Sequence, residues 1–369
     1  GLSAADELLS RGFEPIVLEA RERVGGRVHS RELPNGAVVE MGAEFILPGC
    51  TEVLGQVERF GLGLWDKGMR YGIREPRGID VAPGALAEAA AAIDAALAAG
   101  AQDESAQQLL ARLEIDAAAR EAITARAEVS AAAPAGEVPA AELGGLARIS
   151  DDPAPGVAGG NGRLAEALAA GLGDRVHLGA AVRSLGRGEA GIVARTDEGE
   201  IEARACVIAV PATVAGRIEF DPPLPGPVAG ALAAVRYGHA AKLFVPLRAP
   251  VPPSATLSVP DRFWAWTATG PLGRPQPAVS AFAGSTPALE RLELDLGPDA
   301  WLERLASLRP DLDLERSGAL LSTWDDDPWA GAAYSLEPPT EVRAALSEPL
   351  GPLAFAGEHL GGRFGALME

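Results

Sequence analysis

Cysteine is nearly missing from this chain of 369 residues: there are two, Cys50 and Cys206. That excludes a disulfide framework, and neither cysteine sits in a spacing that holds a metal. Cys206 lies in the apolar run ACVIAV, where a buried free thiol is expected. The four histidines, His29, His177, His239 and His359, are scattered and share no metal spacing, so each is read as structural or exposed. Positive charge is also short. Lys and Arg number 32 against 51 Asp and Glu, a formal net charge of -19. Nucleic acid demands concentrated positive charge, so it is excluded as a partner, and an anionic membrane is disfavoured. No stretch of about 18 residues is apolar without a charge or a breaker, so no transmembrane helix is expected. No basic leader precedes an apolar segment, and the cytoplasm is the expected location.

The length suffices for two domains with their own cores. The chain opens GLSAADELLSRGFEPIVLEA, where Ala4, Ala5, Leu8 and Leu9 recur on one helical face. Gly12 is placed to cap that helix, and PIVLE reads as a short buried strand. In a nucleotide-binding unit, an acid ending the second strand binds the ribose hydroxyls, and Glu19 has that position. Gly25 and Gly26 would let the backbone pass a pyrophosphate, and Arg27 offers a fork of donors to phosphate oxygens. A surface turn with a solvated arginine accounts for the same three residues equally well. The strand and glycine turn that precede such a helix in a dinucleotide site are not in the sequence, so a fragment of a longer polypeptide is expected.

Further along, GAVVEMGAEFI (36–46) is a glycine-punctuated apolar strand with two unusual acids, Glu40 and Glu44. Residues 85–128 read as two or three helices, broken near Gly100 and restarting at Asp116. The Ala, Pro and Gly of 131–160 read as loop or linker. A helix is expected over 161–172, strands on either side of the small-residue step in RVHLGAAVRSLGR, and a hairpin turning at Glu198-Gly199 that leads into a buried strand. AKLFVPL and AVSAFAG read as strands and 299–307 as a helix. The ending LAFAGEHLGGRFGALME reads as a strand meeting Gly357, then a helix beyond the glycines. Pieces of nucleotide-binding type thus alternate with less regular segments.

In order and spacing, GLSAADELL, VLEARERVGGRVHS, VVEMGAEFI, GGNGRLAEALA, VIAVPA, AKLFVP, WDDDPWAGAAYS and LAFAGEH…FGALME resemble the blocks of the flavin-containing amine oxidases, the group of the monoamine and polyamine oxidases. The resemblance spans nearly the whole chain. It implies an α/β fold in which a dinucleotide-binding FAD domain (1–50, 156–220, 341–369) is interleaved with an α+β substrate domain (a helix-rich part at 51–155, then 221–340). It also implies a glycine loop upstream and further helix downstream, hence truncation at both ends. By the same resemblance, Glu19 takes the adenosine ribose, Arg21, Gly25 and Gly26 belong to the cofactor turn, and Arg27 lies near the pyrophosphate. Gly42 and Ala43 lie close to the flavin, Val182 offers backbone bonds near the adenine, and Glu358 beside Gly357 faces the ribityl or phosphate portion. Members that tether their flavin use a cysteine where this chain has Ala333, so noncovalent FAD is implied.

Lys242 is the one cation in YGHAAKLFVPL. A buried unpaired ammonium costs several kcal/mol or loses its proton. Read locally, Lys242 snorkels from a strand end; by resemblance, it holds a water at flavin N5 and aids reoxidation by oxygen. Tyr334, ten residues after Trp324, matches the first of two aromatic rings that flank the amine, and Leu367 stands where the second belongs. Read locally, Tyr334 is a core tyrosine with a satisfied hydroxyl. The missing ring suits a bulkier substrate or a different chemistry. The implied activity is oxidation of an amine C–N bond to an imine, with O2 as acceptor, giving a carbonyl compound and H2O2. A small-molecule amine and O2 are the expected partners. A flavin dehydrogenase or desaturase on a bulky hydrophobic substrate, and an inactive flavin-binding scaffold, are the alternatives.

Overall fold

Seven consecutive buried residues, Ala240–Pro246, form the strand around which the larger sheet is built. The computed structural model describes residues 1–146, 152–189, 191–270 and 272–369. The expected linker over 131–160 therefore falls partly, at 147–151, outside the described residues. Side chains alternate across a strand, so Ala241, Leu243 and Val245 face one way and Lys242 and Phe244 the other. The first set packs on Trp301, Leu302 and Leu305 of the helix Asp299–Leu308, whose spacing makes one apolar stripe. Burying each such side chain contributes roughly 1.5–3 kcal/mol. Phe244, on the second face, packs on Val39, Met41 and Trp324. Lys242 therefore points toward the segment around residues 40–44, where its charge must find partners.

The full sheet has six strands in the order Leu320–Thr323, Ala240–Pro246, Pro275–Gly284, Phe263–Thr269, Ser254–Ser258 and Glu75–Arg77. All neighbours are antiparallel except the last pair. A helical layer of Ala85–Ala98, Ala106–Arg112 and Ala117–Ala131 closes over Ile93, Leu109, Leu110 and Ile123. Its breaks follow the sequence. Gly100 adopts a left-handed φ of 101°, Ser105 and Gln108 form a capping box, and the Asp116 side chain accepts the Ala119 N–H at 2.8 Å. A third region holds the parallel pair Val17–Leu18 with Val176–His177, the parallel pair Cys206–Ile208 with Leu353–Phe355, and a four-stranded sheet that includes the hairpin Gly191–Thr196 to Gly199–Ala203. This is a mixed α/β fold with distinct helical and sheet regions. Among the described residues, no helix is long and apolar enough to cross a membrane.

Several expectations need correction. PIVLE is not a buried strand: only Val17–Leu18 pair, on one edge, and Ile16 is 52% exposed. Cys206 is half-buried and Val207 40% exposed, because their strand has a single neighbour. Burial still pushes the Cys206 thiol up to about 11. The strand in 36–46 is limited to Val38–Glu40. The ending forms two short 3-10 turns, Glu358–Leu360 and Gly362–Phe364, instead of an α-helix, since Gly362 takes a φ of 56° and Gly365 follows at once.

Candidate active site

Two segments far apart in character, 25–29 and 41–43, lie against each other. The N–H of Met41 bonds the His29 carbonyl at 2.8 Å, and the N–H of Ala43 bonds the Arg27 carbonyl at 3.1 Å. Gly42 makes this approach, for a Cβ there would stand 1.8 Å from the Arg27 carbonyl oxygen. Gly25 and Gly26 both take left-handed φ, 93° and 55°, and turn the chain so that Arg27 points inward. Its guanidinium donates to the Ala333 carbonyl and to Glu358 Oε1, the latter at 3.1 Å. Glu358 is further oriented by the Ser335 hydroxyl at 2.7 Å and the Ala366 N–H at 3.1 Å. Beside it, both nitrogens of the buried His359 ring lack a partner among the described residues. Gly357, at φ 151°, leaves room for that ring.

Lys242 is 6% exposed and uses all three of its donors. They reach the Glu40 carbonyl at 2.9 Å, the Gly42 carbonyl at 2.7 Å and Glu44 Oε2 at 2.8 Å. The other Glu44 oxygen accepts from Lys67 at 2.6 Å. Burial alone would raise the Glu44 carboxyl, but the two ammonium groups hold it below the ordinary carboxylate range. Burial pushes the Lys242 pKa down against the pull of Glu44. Burial raises Glu40, although it accepts from the Ser30 hydroxyl at 2.7 Å and the Asn161 N–H at 2.8 Å. Asn161 also bonds the carbonyls of Ala43 and Glu44, so residues 40–44 are held from three sides. The acids in the 36–46 run were the visible signal of this cluster. Lys67 and Asn161 carried none.

Glu19 ends its strand, and one of its oxygens accepts the Arg21 N–H at 2.9 Å. Arg21 reaches across to Asp327 at 2.5 Å. Residues 179–182 run alongside: Gly179 donates to the Arg21 carbonyl at 3.0 Å and Ala180 to that of Glu19 at 2.9 Å, which brings Val182 to the same edge. Tyr334 donates its hydroxyl to the Ser130 carbonyl at 2.7 Å. Leu367 packs elsewhere, with Ile46, Val53 and Val57, while Glu369 caps the helix Thr51–Arg59 by accepting the N–H groups of Glu52 and Val53. Tyr334 and Leu367 thus belong to different apolar clusters.

His29 lies among Arg23, Arg31 and Arg21. Burial first, then those charges, push its pKa from 6.5 to about 4. Between those values the unfolded chain binds a proton that the folded chain refuses, so stability falls as pH drops from about 6.5 toward about 4. His29→Gln should flatten that part of the stability curve, measured by urea unfolding at a series of pH values. An unchanged slope would show that other groups set it.

The donor set suits one kind of ligand. Glu19 and Glu358 are acceptors for hydroxyl groups and Arg27 a donor for phosphate, which fits a dinucleotide carrying both. The family description "flavin containing amine oxidoreductase" matches residues 1–369, and the chain belongs to that family. AofH of Mycobacterium tuberculosis, which carries the name flavin-containing monoamine oxidase, is 33% identical over 270 residues, 61% of this chain. The match spans 58% of the length of AofH. Among solved structures, putrescine oxidase bound to putrescine superposes with a TM-score of 0.82 at 22% identity, over 99% of this chain and 93% of that one. Cyclohexylamine oxidase from Brevibacterium oxydans gives 0.79 at 20%, with the same coverage. At these identities the two structures establish the fold.

Proposed function

We propose that the chain is an FAD-dependent oxidoreductase that converts an amine to an imine, which water hydrolyses to a carbonyl compound with release of ammonia or an amine, while the two electrons pass to O2 and give H2O2. The observation that carries this reading is the convergence of Arg27, Glu358, Gly42 and Lys242, from both ends and the middle of the sequence, within one family-matched fold. Residues 1–50, 156–220 and 341–369 are assigned to the FAD domain, and 51–155 and 221–340 to the substrate domain. Bound FAD would supply the two-electron acceptor chemistry. The chain supplies position and charge. Glu19 holds the ribose, and Arg21 orients Glu19 through its backbone. Gly25, Gly26 and Arg27 face the pyrophosphate, Gly357 and Glu358 the ribityl portion, Val182 the adenine, and Gly42 and Ala43 the flavin. Tyr334 lines the substrate side, whereas Leu367, packed with Ile46, Val53 and Val57, is not assigned to it. Lys242 serves the oxygen step, for which one of its carbonyl bonds must exchange for water. Cytoplasmic operation fits two free cysteines.

Acid precipitation of the holoprotein should leave the flavin in the supernatant, because Ala333 offers no thiol for a tether. Glu19→Ala should weaken FAD binding by roughly 1.5–3 kcal/mol, the worth of hydrogen bonds to a charged acceptor. Flavin retained in the pellet would refute the noncovalent assignment, and unchanged FAD affinity would remove Glu19 from the site.

A further inference from the structure

Two guanidinium groups near Tyr334, those of Arg74 and Arg126, have no carboxylate partner among the described residues. Arg74 is 6% exposed and lies flat on two rings, 4.5 Å from the centroid of Tyr71 and 4.0 Å from that of Trp264. It donates to the Tyr71 carbonyl at 3.2 Å and to the Ser130 hydroxyl at 3.2 Å. Ser130 is the residue whose carbonyl accepts the Tyr334 hydroxyl, so Arg74 sits one residue from the proposed substrate-side phenol. Arg126, on the same helix as Ser130, donates to the Gly72 carbonyl at 2.7 Å, and its buried Nε has no partner among the described residues. The acids of that helix are committed elsewhere: Glu121 and Glu128 both pair with Arg262, at 2.6 and 2.7 Å. Burial, reinforced by Arg74 and opposed by the Tyr71 phenol, pushes Arg126 down to about 10. The Phe45 ring, 5.2 Å from Tyr71, separates this pair from the Glu44 cluster.

A buried guanidinium is costly unless an anion answers it, and its planar donors match a carboxylate in two-pronged fashion. In a chain of net charge -19, these two groups have the Tyr71 phenol beside them but no carboxylate among the described residues. A diamine would bring a second cation against them and be repelled.

We propose that Arg74 and Arg126 bind a carboxylate carried by the substrate, which makes the substrate class amino acids and not simple amines or diamines. This rests on the amine-oxidising reading for the place of the reacting nitrogen. The test uses the holoprotein with benzoate and benzylamine as probes in titration calorimetry. Benzoate should bind at least tenfold tighter than benzylamine. Arg74→Met and Arg126→Met should each weaken benzoate at least fivefold and leave benzylamine unchanged. Arg126→Lys, which keeps the charge without the fork, should fall between. Arg126 is the less buried of the two, so its variants remain informative even where Arg74→Met fails to fold. Equal binding of the two probes, or benzoate affinity unmoved in the Arg126 variants, overturns the proposal. Anaerobic flavin bleaching by phenylalanine and by phenethylamine separates the two readings. Bleaching by phenethylamine with no preference for benzoate sinks the carboxylate site alone. Arginine-dependent benzoate binding with no bleaching by either compound sinks the oxidation reading and leaves the anion site standing.

Discussion

Alanine at position 42 should leave little folded protein. The added Cβ would meet the Arg27 carbonyl oxygen at 1.8 Å and its carbon at 2.9 Å, and both are backbone atoms held by the Ala43 N–H. No rotamer relieves such a contact, so the segments 25–29 and 41–43 must part. Their separation would also pull the Gly42 carbonyl away from Lys242. A loss of about 4 kcal/mol or more is expected, at the top of the range for single substitutions. Urea unfolding and the flavin content of the purified protein measure it. Gly55→Ala is the control. Gly55 lies in the helix Thr51–Arg59, and an added methyl would have nothing within 4 Å of it, so alanine there should gain up to about 1 kcal/mol. If Gly42→Ala were as well tolerated as Gly55→Ala, the close crossing would not be a feature of the protein in solution.

Lys242→Met should have the second largest effect, on two separate readouts. Removing the ammonium strands the carbonyls of Glu40 and Gly42 and leaves Glu44 with Lys67 alone. Breaking a buried charge pair from one side costs about 3–5 kcal/mol. Under the proposed function, reoxidation of the reduced enzyme by oxygen should also slow at least tenfold, while anaerobic reduction by substrate changes less. Stopped-flow absorbance separates the two half-reactions. Lost stability with oxygen reactivity intact would make Lys242 a strut that joins its strand to residues 40–44. A parent protein that barely reacts with oxygen would favour the dehydrogenase alternative.

Local order was legible because local causes produce it. The helix Leu2–Ser10 ends where Gly12 takes a left-handed φ, Asp116 caps the helix it precedes, and the hairpin after Gly191 turns where its polar residues fall. The nearly continuous apolar run AAKLFVP was enough to mark a strand and to make its lysine conspicuous. Gly25, Gly26 and Gly42 stood out as glycines placed to approach a cofactor; what the structure adds is that a Cβ at Gly25 or Gly42 would meet the chain's own backbone, at Val28 and Arg27. Burial was read less well. The strands at 17–18 and 206–208 are apolar in sequence but half-open, since the number of neighbours a strand acquires is not written within it.

The sequence by itself determined the residue types: two acids in an apolar run, a lone lysine in a strand, a GGR turn, a block order that spans the chain. Tertiary structure decided which charges meet. Glu44 lies 198 residues from Lys242 and Arg27 lies 331 from Glu358, and in each case the pairing depends on which faces of distant elements pack together. The same packing turned Glu121 and Glu128 toward Arg262 and left Arg74 and Arg126 without an acid among the described residues, because a helix can satisfy only the charges that its orientation brings within reach.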